Sequence, residues 1–360
     1  MKEAKLITKV KSIVNNQYEG LLLFLKELPH YTDRKFETNI ATLAAASDQR
    51  LLQKLDEIKE NDDIDDDLHF TLFVVKATFF RRHKDHTMFL QYVDKYKDIY
   101  YDNPLFLHIL SMAHKTVSWD KDTLLDAIEY SRKAVNFKEV ENHVGILHNF
   151  SENVVIALEE EFPFDTIFTK SLVEQGYKIM KKIVQLDPDY PKFQCTMGRW
   201  MAIYKKEYNL AKRYIESAID KESSQSIDYS LRIGDYQRFL LKTEVLQNKD
   251  QLNEEVSKTK KELEAATKEL NRMKDDNLKT LGFFTAILGV IIGSLQIISG
   301  QEFYDAALLI VILCGALILS FASFTFIIFQ DKRRKLTILL LVISGAILIS
   351  GSVLTYILLN

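Results

Sequence analysis

The chain has 360 residues, is 47% hydrophobic and carries a formal net charge of −3. That balance lacks the basic footprint with which nucleic-acid-binding proteins neutralise phosphate, so no nucleic acid is expected as a partner. Two widely separated cysteines, Cys195 and Cys314, offer neither a disulfide framework nor a zinc knuckle, and they fit a reducing compartment.

Apolar content is unevenly spread. The last eighty or so residues are almost wholly apolar, and the preceding region is rich in Lys, Glu and Asp. From Lys279 onward five basic residues face three acidic ones, which leaves about −5 on the part before it. The opening MKEAKLITKVKSI has charges throughout and no continuous apolar core, so it does not read as a signal peptide. The first apolar helix is then expected to act as its own insertion signal.

Residues 1–64 read as helices with buried stripes in LLLFLKEL and NIATLAAA, an N-terminal helical cap. In the run DDIDDD, Asp63, Asp65 and Asp67 alternate as calcium ligands do. Leu68, however, stands where the sharp turn needs glycine, and Val74 where the loop needs its bidentate glutamate. The run reads instead as a solvated loop capping a helix that begins near Leu68.

Between 65 and 240 apolar residues recur at helical spacing, and strand-like alternation is scarce, which predicts an all-α domain. Small or medium residues lie seven apart at Ala127 and Ala134, Gly176 and Ile183, and Ala211 and Ala218, with Tyr92 and Ile99 as an equivalent pair. The steps from 92 to 127 and from 176 to 211 are both 35 residues. Pro104 and Pro188 follow such segments. In these features, over about residues 65–221, the sequence resembles the tetratricopeptide repeat family, whose helix pairs recur about every 34 residues. The nearest unit is KFQCTMGRWMAIYKKEYNLAKRYIESAID, where Tyr208, Ala211, Ile215 and Ala218 match the second helix and Met197 and Gly198 fall one place from the Leu-Gly pair of the first. The 49-residue step from 127 to 176 is read as an extended pair, about 139–160 and 165–186, with FPFD turning and Asp165 capping. Four stacked pairs result, because one pair cannot bury its apolar face alone.

Met197, Trp200, Met201 and Tyr204 are expected in that core. The resemblance implies a concave peptide-binding face, and Arg199, Trp200 and Lys205 are the candidate partner-binding residues. The string RRHKDH raises two further readings. His83, Asp85 and His86 have donor chemistry for a metal, although a polar turn between helices explains them as well. Arg81 and His86 are similar to the Arg-x4-His signature of the HEPN ribonuclease family, which implies RNA cleavage by a dimer; their position inside a repeat-like helix pair points away from it. No phosphate-binding glycine loop, HExxH, CxxC or G-x-S-x-G occurs, so no catalytic residues, metal or cofactor are expected.

From 241 to 279 Leu252, Val256, Leu263, Ala266, Leu270 and Met273 alternate three and four apart, with Lys249 and Thr259 as weaker members, the seam of a coiled-coil stalk. Glu254 with Lys258 and Glu264 with Lys268 are favourable i,i+4 pairs on its outside. The stalk packs either on the helical array or on a parallel second copy.

The region 280–360 holds three apolar runs, Leu281 to Ser299, Ala306 to Phe329 and Leu336 to Leu359, each long enough for a hydrocarbon core of about 30 Å. The turn QEFYD is acidic and QDKRRK is basic, which predicts that the latter and the helical domain lie in the cytoplasm at an inner, multi-pass membrane, with the C-terminus beyond it. Spans without ionisable residues give no proton- or sodium-coupling group. Gly282, Ala286, Gly289, Gly293 and Gln296 form a candidate packing face containing GxxxG, and Gly345 and Gly351 mark a second in the third run.

Two functions follow as expectations. One is a membrane-anchored interaction or sensor protein whose solenoid binds a protein or peptide, with homo-oligomers through coil and spans. The other rests on a resemblance of overall plan to bacterial conflict and anti-phage proteins, in which a helical sensor is followed by a small multi-span module that damages the membrane when triggered.

Overall fold

The computed structural model describes residues 18–61, 64–117, 120–162, 166–226, 228–300, 302–328 and 335–359. Among them are fifteen α-helices and no strand, the all-α class read from the sequence. The chain divides between Gln251 and Leu252 into two compact units.

The first unit begins with α1 (Tyr18–Lys26), α2 (Arg34–Ala46) and α3 (Arg50–Asn61). Leu21, Leu25, Phe36, Ile40, Leu43, Leu51, Leu55 and Ile58 are all buried, so both stripes of the N-terminal region join the core. Asp65 accepts from the Leu68 amide at the start of α4 (Asp66–Arg82), the cap expected of the acidic run; Asp62 and Asp63 lie outside the described residues.

Helices then follow in pairs: α4 with α5 (His86–Lys95), a short α6 (Lys97–Tyr100), α7 (Pro104–Val117) with α8 (Lys121–Val135), α9 (Val144–Glu159) with α10 (Thr166–Leu186), and α11 (Pro191–Trp200) with α12 (Tyr208–Lys221). Each pair also packs on the next, α5 on α7, α8 on α9 and α10 on α11, the arrangement a solenoid needs. The extended pair expected at about 139–160 and 165–186 is α9 and α10; Asp165, expected to cap α10, lies outside the described residues. One expectation is corrected. Tyr92 and Ile99 do not share a helix, because α5 ends at Lys95, with Tyr96 as its C-cap, and Ile99 stands exposed on α6.

Close packing explains the residues seven apart. Ala127, Ala134, Ile183, Ala211 and Ala218 are fully buried. A Cβ on Gly176 would come within 3.0–3.3 Å of Trp200 and Val154, and one on Gly198 within 2.8 Å of the Ala211 carbonyl and 2.6 Å of Ile215. Gly198 is therefore where α11 touches the α12 backbone. Pro104 and Pro191 open α7 and α11, where a missing N–H costs nothing.

Stacking is keyed by polar contacts across α7, α8 and α9. Ser111 donates to the Ala127 carbonyl at 2.7 Å, and the Asn153 amide donates to Ser111, Ser131 and the same carbonyl. The start of α2 reaches several later pairs. Tyr31 donates to Glu139, Arg34 pairs with Asp187 and lies over Tyr190, and Glu37 faces His108 and His143.

Helix α13 runs from Tyr229 to Ile298 without a break. Its early turns pack on the array through Tyr236, Phe239, Leu240 and Thr243, and Asp250 accepts from Lys206 and Tyr208. The expected outer pairs Glu254–Lys258 and Glu264–Lys268 are not closed, in keeping with the marginal value of exposed ion pairs.

In the second unit the end of α13 is followed by α14 (Phe303–Ile328) and α15 (Lys335–Leu359). Three helices are thus long and apolar enough to cross a membrane. Phe303, Tyr304 and Asp305, expected in a turn, already belong to α14. The basic residues Lys332, Arg333 and Arg334 lie outside the described residues. Helices α14 and α15 pack along each other, and Phe283 of α13 stacks on Phe324 with ring centroids 3.8 Å apart.

Candidate functional site

The candidate partner residues Arg199, Trp200 and Lys205 sit at the end of α11 and in the π-helical turn Met201–Lys205 that continues it. They part company in three dimensions. Trp200 is fully buried, and its indole donates to Ser151 at 2.9 Å while Tyr177 and Tyr204 pack beside the ring. Met197 and Met201 are buried with it, and Tyr204 is half-buried. Arg199 is also buried. It forks onto Glu159 through Nε at 2.8 Å and Nη2 at 2.9 Å, and its plane lies 4.1 Å from the Phe239 ring centre.

Around this pair lies a network of charge, buried at Lys115 and Glu152 and partly exposed at Lys192 and Lys242. Lys115 donates to Glu152 at 2.9 Å, Lys192 is 3.2 Å from the same carboxylate, and Lys242 approaches Glu159 at 3.6 Å. Burial works against the Arg199 charge, yet Glu159 outweighs it and holds the guanidinium above its ordinary pKa. Burial likewise opposes ionisation of Glu152, but Lys115 and Lys192 prevail and keep it well below the carboxylate range. His148, whose Nε2 lies 2.9 Å from the Thr196 hydroxyl, is pushed down to about 3 by burial and stays neutral at pH 7. These groups satisfy one another, so their chemistry is that of a keyed interior.

Lys205 is different. Exposed, it lies 5.0 Å from the Tyr177 ring centre and 4.8 Å from that of Tyr204, and Lys181 lies 5.2 Å from Tyr177 on the other side. The extra residue of the π turn, closed by Lys206 in the left-handed region at φ 57°, is what turns Tyr204 and Lys205 onto α10. Two ammonium groups over two half-buried tyrosines make a basic and aromatic patch, with Glu207 the acidic group that acts on Tyr177. Lys181 and Tyr177 were not singled out in the sequence; only their spacing of four on one helix face signals them.

Of the other candidates, His83, Asp85 and Arg81 have structural partners, whereas the buried Nδ1 of His86 accepts and donates no hydrogen bond among the described residues. His83 stacks on Phe79 with centroids 4.1 Å apart, and Asp85 caps α5 through the Met88 amide. Arg81 donates to Met112 Sδ and is drawn down to about pH 10 by burial, while His86 is the first residue of α5. Among the described residues no group of three or more His, Cys, Asp or Glu side chains could hold a metal ion.

In the apolar helices, a Cβ on Gly282, Gly289 or Gly293 would meet nothing within 4 Å, and Ala286 and Gln296 are exposed. Gly351 is equally bare. Close approach falls instead at Gly315 and Gly345, each of whose Cβ positions lies 3.0 Å from the other's carbonyl oxygen. Gly315 escaped notice because its neighbours form no glycine repeat.

No protein-family model matches the chain. Nor does any curated protein match it.

Proposed function

We propose that this helical chain, with three apolar helices of membrane-spanning length, is a membrane-anchored interaction or sensor protein, whose tetratricopeptide-like array stands on the cytoplasmic side and binds an acidic protein or peptide segment at Lys181, Lys205, Tyr177 and Tyr204. The observation that carries this reading is the exposed basic and aromatic patch at the π turn, beside an Arg199 that is buried and paired with Glu159. The full chain in detergent is titrated with fluorescent Glu/Asp-rich peptides. Lys181→Glu with Lys205→Glu should weaken binding at least tenfold without lowering the melting temperature; unchanged binding rejects the patch. Cysteine labelling of intact cells at Lys258→Cys checks the cytoplasmic assignment.

A second reading, a signal-gated membrane effector of an anti-phage or stress system, is favoured by the bare glycine face of α13, which leaves a close-packing surface free for other copies. Dye release from liposomes, lost in Gly289→Leu, supports it. Intact liposomes at high protein loading remove it.

A further inference from the structure

From Leu252 to Met273 helix α13 keeps an apolar stripe in a charged stretch, and among the described residues its side chains lie exposed. Leu252, Val256, Leu263, Leu270 and Met273 are 57–65% exposed. Written as heptads, Val256, Leu263 and Leu270 take a positions, Leu252, Thr259, Ala266 and Met273 take d positions, and the series ends at a with Asn277. Before that stripe, α13 meets the array through Tyr236 and Thr243 at b, Leu240 at f and Phe239 at e of the same frame, while Lys242 and Lys249 at a reach Glu159 and Glu161.

We propose that this stripe is the interface for a second copy of the chain, paired in parallel and in register from Leu252 to Asn277. Three observations select that occupant. First, α13 continues unbroken into an apolar span, so two copies in one membrane present the stripe in the same direction and at the same height. Second, the flanking charges match only in that arrangement. The g positions are Glu255, Glu262, Glu269 and Asp276, and the e positions include Lys260 and Lys274. A parallel pair sets each g residue against the e residue five places on in the other copy, which joins Glu255 to Lys260 and Glu269 to Lys274, twice each by symmetry. An antiparallel pair sets acid against acid. Within one chain these four residues make no ion pair, so they are free for it. Third, Asn277 at an a position favours a partner with the same amide at the same level, a device that fixes register.

Beyond the coil the pairing face changes owner. Phe283 stacks on Phe324, and Ile287, Ile291 and Ser294 are less exposed than their neighbours, so the chain's own helices take over this side. Gly282, Ala286, Gly289 and Gly293 fall at f and c positions, on the outside of the pair. The pair therefore forms without them.

The inference rests on the membrane-anchored reading only for the common direction of the copies. Single cysteines are placed in the full chain, in native membranes, in a Cys314→Ser background whose remaining thiol, Cys195, is buried. Under mild oxidation Val256→Cys and Leu263→Cys should convert most of the protein to a disulfide-linked dimer, whereas Lys261→Cys, at f, stays at background. Glu255→Lys with Glu269→Lys should reduce the Leu263→Cys dimer severalfold. Lys260→Glu with Lys274→Glu in the co-expressed second copy should restore it. Adding Gly289→Leu should leave it unchanged. Equal cross-linking at 261 and 263, a monomer at both, or indifference to the charge reversal overturns the proposal. Alkaline extraction of the same samples separates the two readings: protein released from membranes counts against the anchor, and protein retained but not cross-linked counts against the pair.

Discussion

Arg199 and Glu159 show how burial changes the value of a charge, since their side chains are 5% and 6% exposed. Taking both from water is costly, and removing only one leaves the other uncompensated. Arg199→Ala is expected to destabilise the protein by about 3 to 5 kcal/mol, read as thermal unfolding in detergent; a loss below 1 kcal/mol would mean that water reaches the pair. His148 makes a pH prediction. Its folded pKa of about 3 lies below the ordinary histidine value, so the unfolded chain binds its proton more readily as pH falls. Its contribution is complete above pH 6.5 and is lost toward pH 3, at about 1.4 kcal/mol per pH unit for one proton. Glu37, which burial pushes up but His108 and His143 pull down more strongly, to about 2, adds acid sensitivity between about pH 4.5 and 2. His148→Gln should flatten the upper part of that curve in denaturant titrations at stepped pH.

At the scale of elements, glycines decide where helices touch. Gly198 lets α11 meet the α12 backbone, so Gly198→Ala forces a shift against a carbonyl and should cost about 1 to 3 kcal/mol. In the apolar unit Gly345→Leu should separate α14 from α15, detected as loss of cysteine cross-linking between positions 315 and 349, while Gly289→Leu leaves that contact intact. The two glycine patterns look alike as strings. GxxxG permits close approach but does not name the neighbour, and the partner of Gly345 came from a lone glycine on the preceding helix.

At the scale of the whole molecule, the array supplies surface, α13 supplies continuity and the apolar helices supply placement. The Lys181–Lys205 patch and the apolar stripe of α13 are both exposed, and each carries its own proposal. They are separable: reversing Lys181 and Lys205 should leave the Leu263→Cys dimer untouched, and reversing Glu255 and Glu269 should leave acidic-peptide binding within twofold. A change in both by either double variant would mean that pairing and partner binding are coupled.

Periodicity alone determined the all-α class, the bounds of the extended α9–α10 pair to within a few residues, the cap at Asp65 and the three apolar helices, because each follows from spacing along one helix. Contacts between helices far apart in sequence lie beyond such patterns. Trp200 fills the core as its spacing predicts, but only the tertiary structure decided that Arg199 turns inward beside it while Lys205 joins Tyr177 and Lys181. It alone set Gly315 against Gly345 and left the glycines of α13 bare. The physical reason is that a helix offers several faces of similar composition, and which face is covered depends on neighbours that the local sequence does not specify.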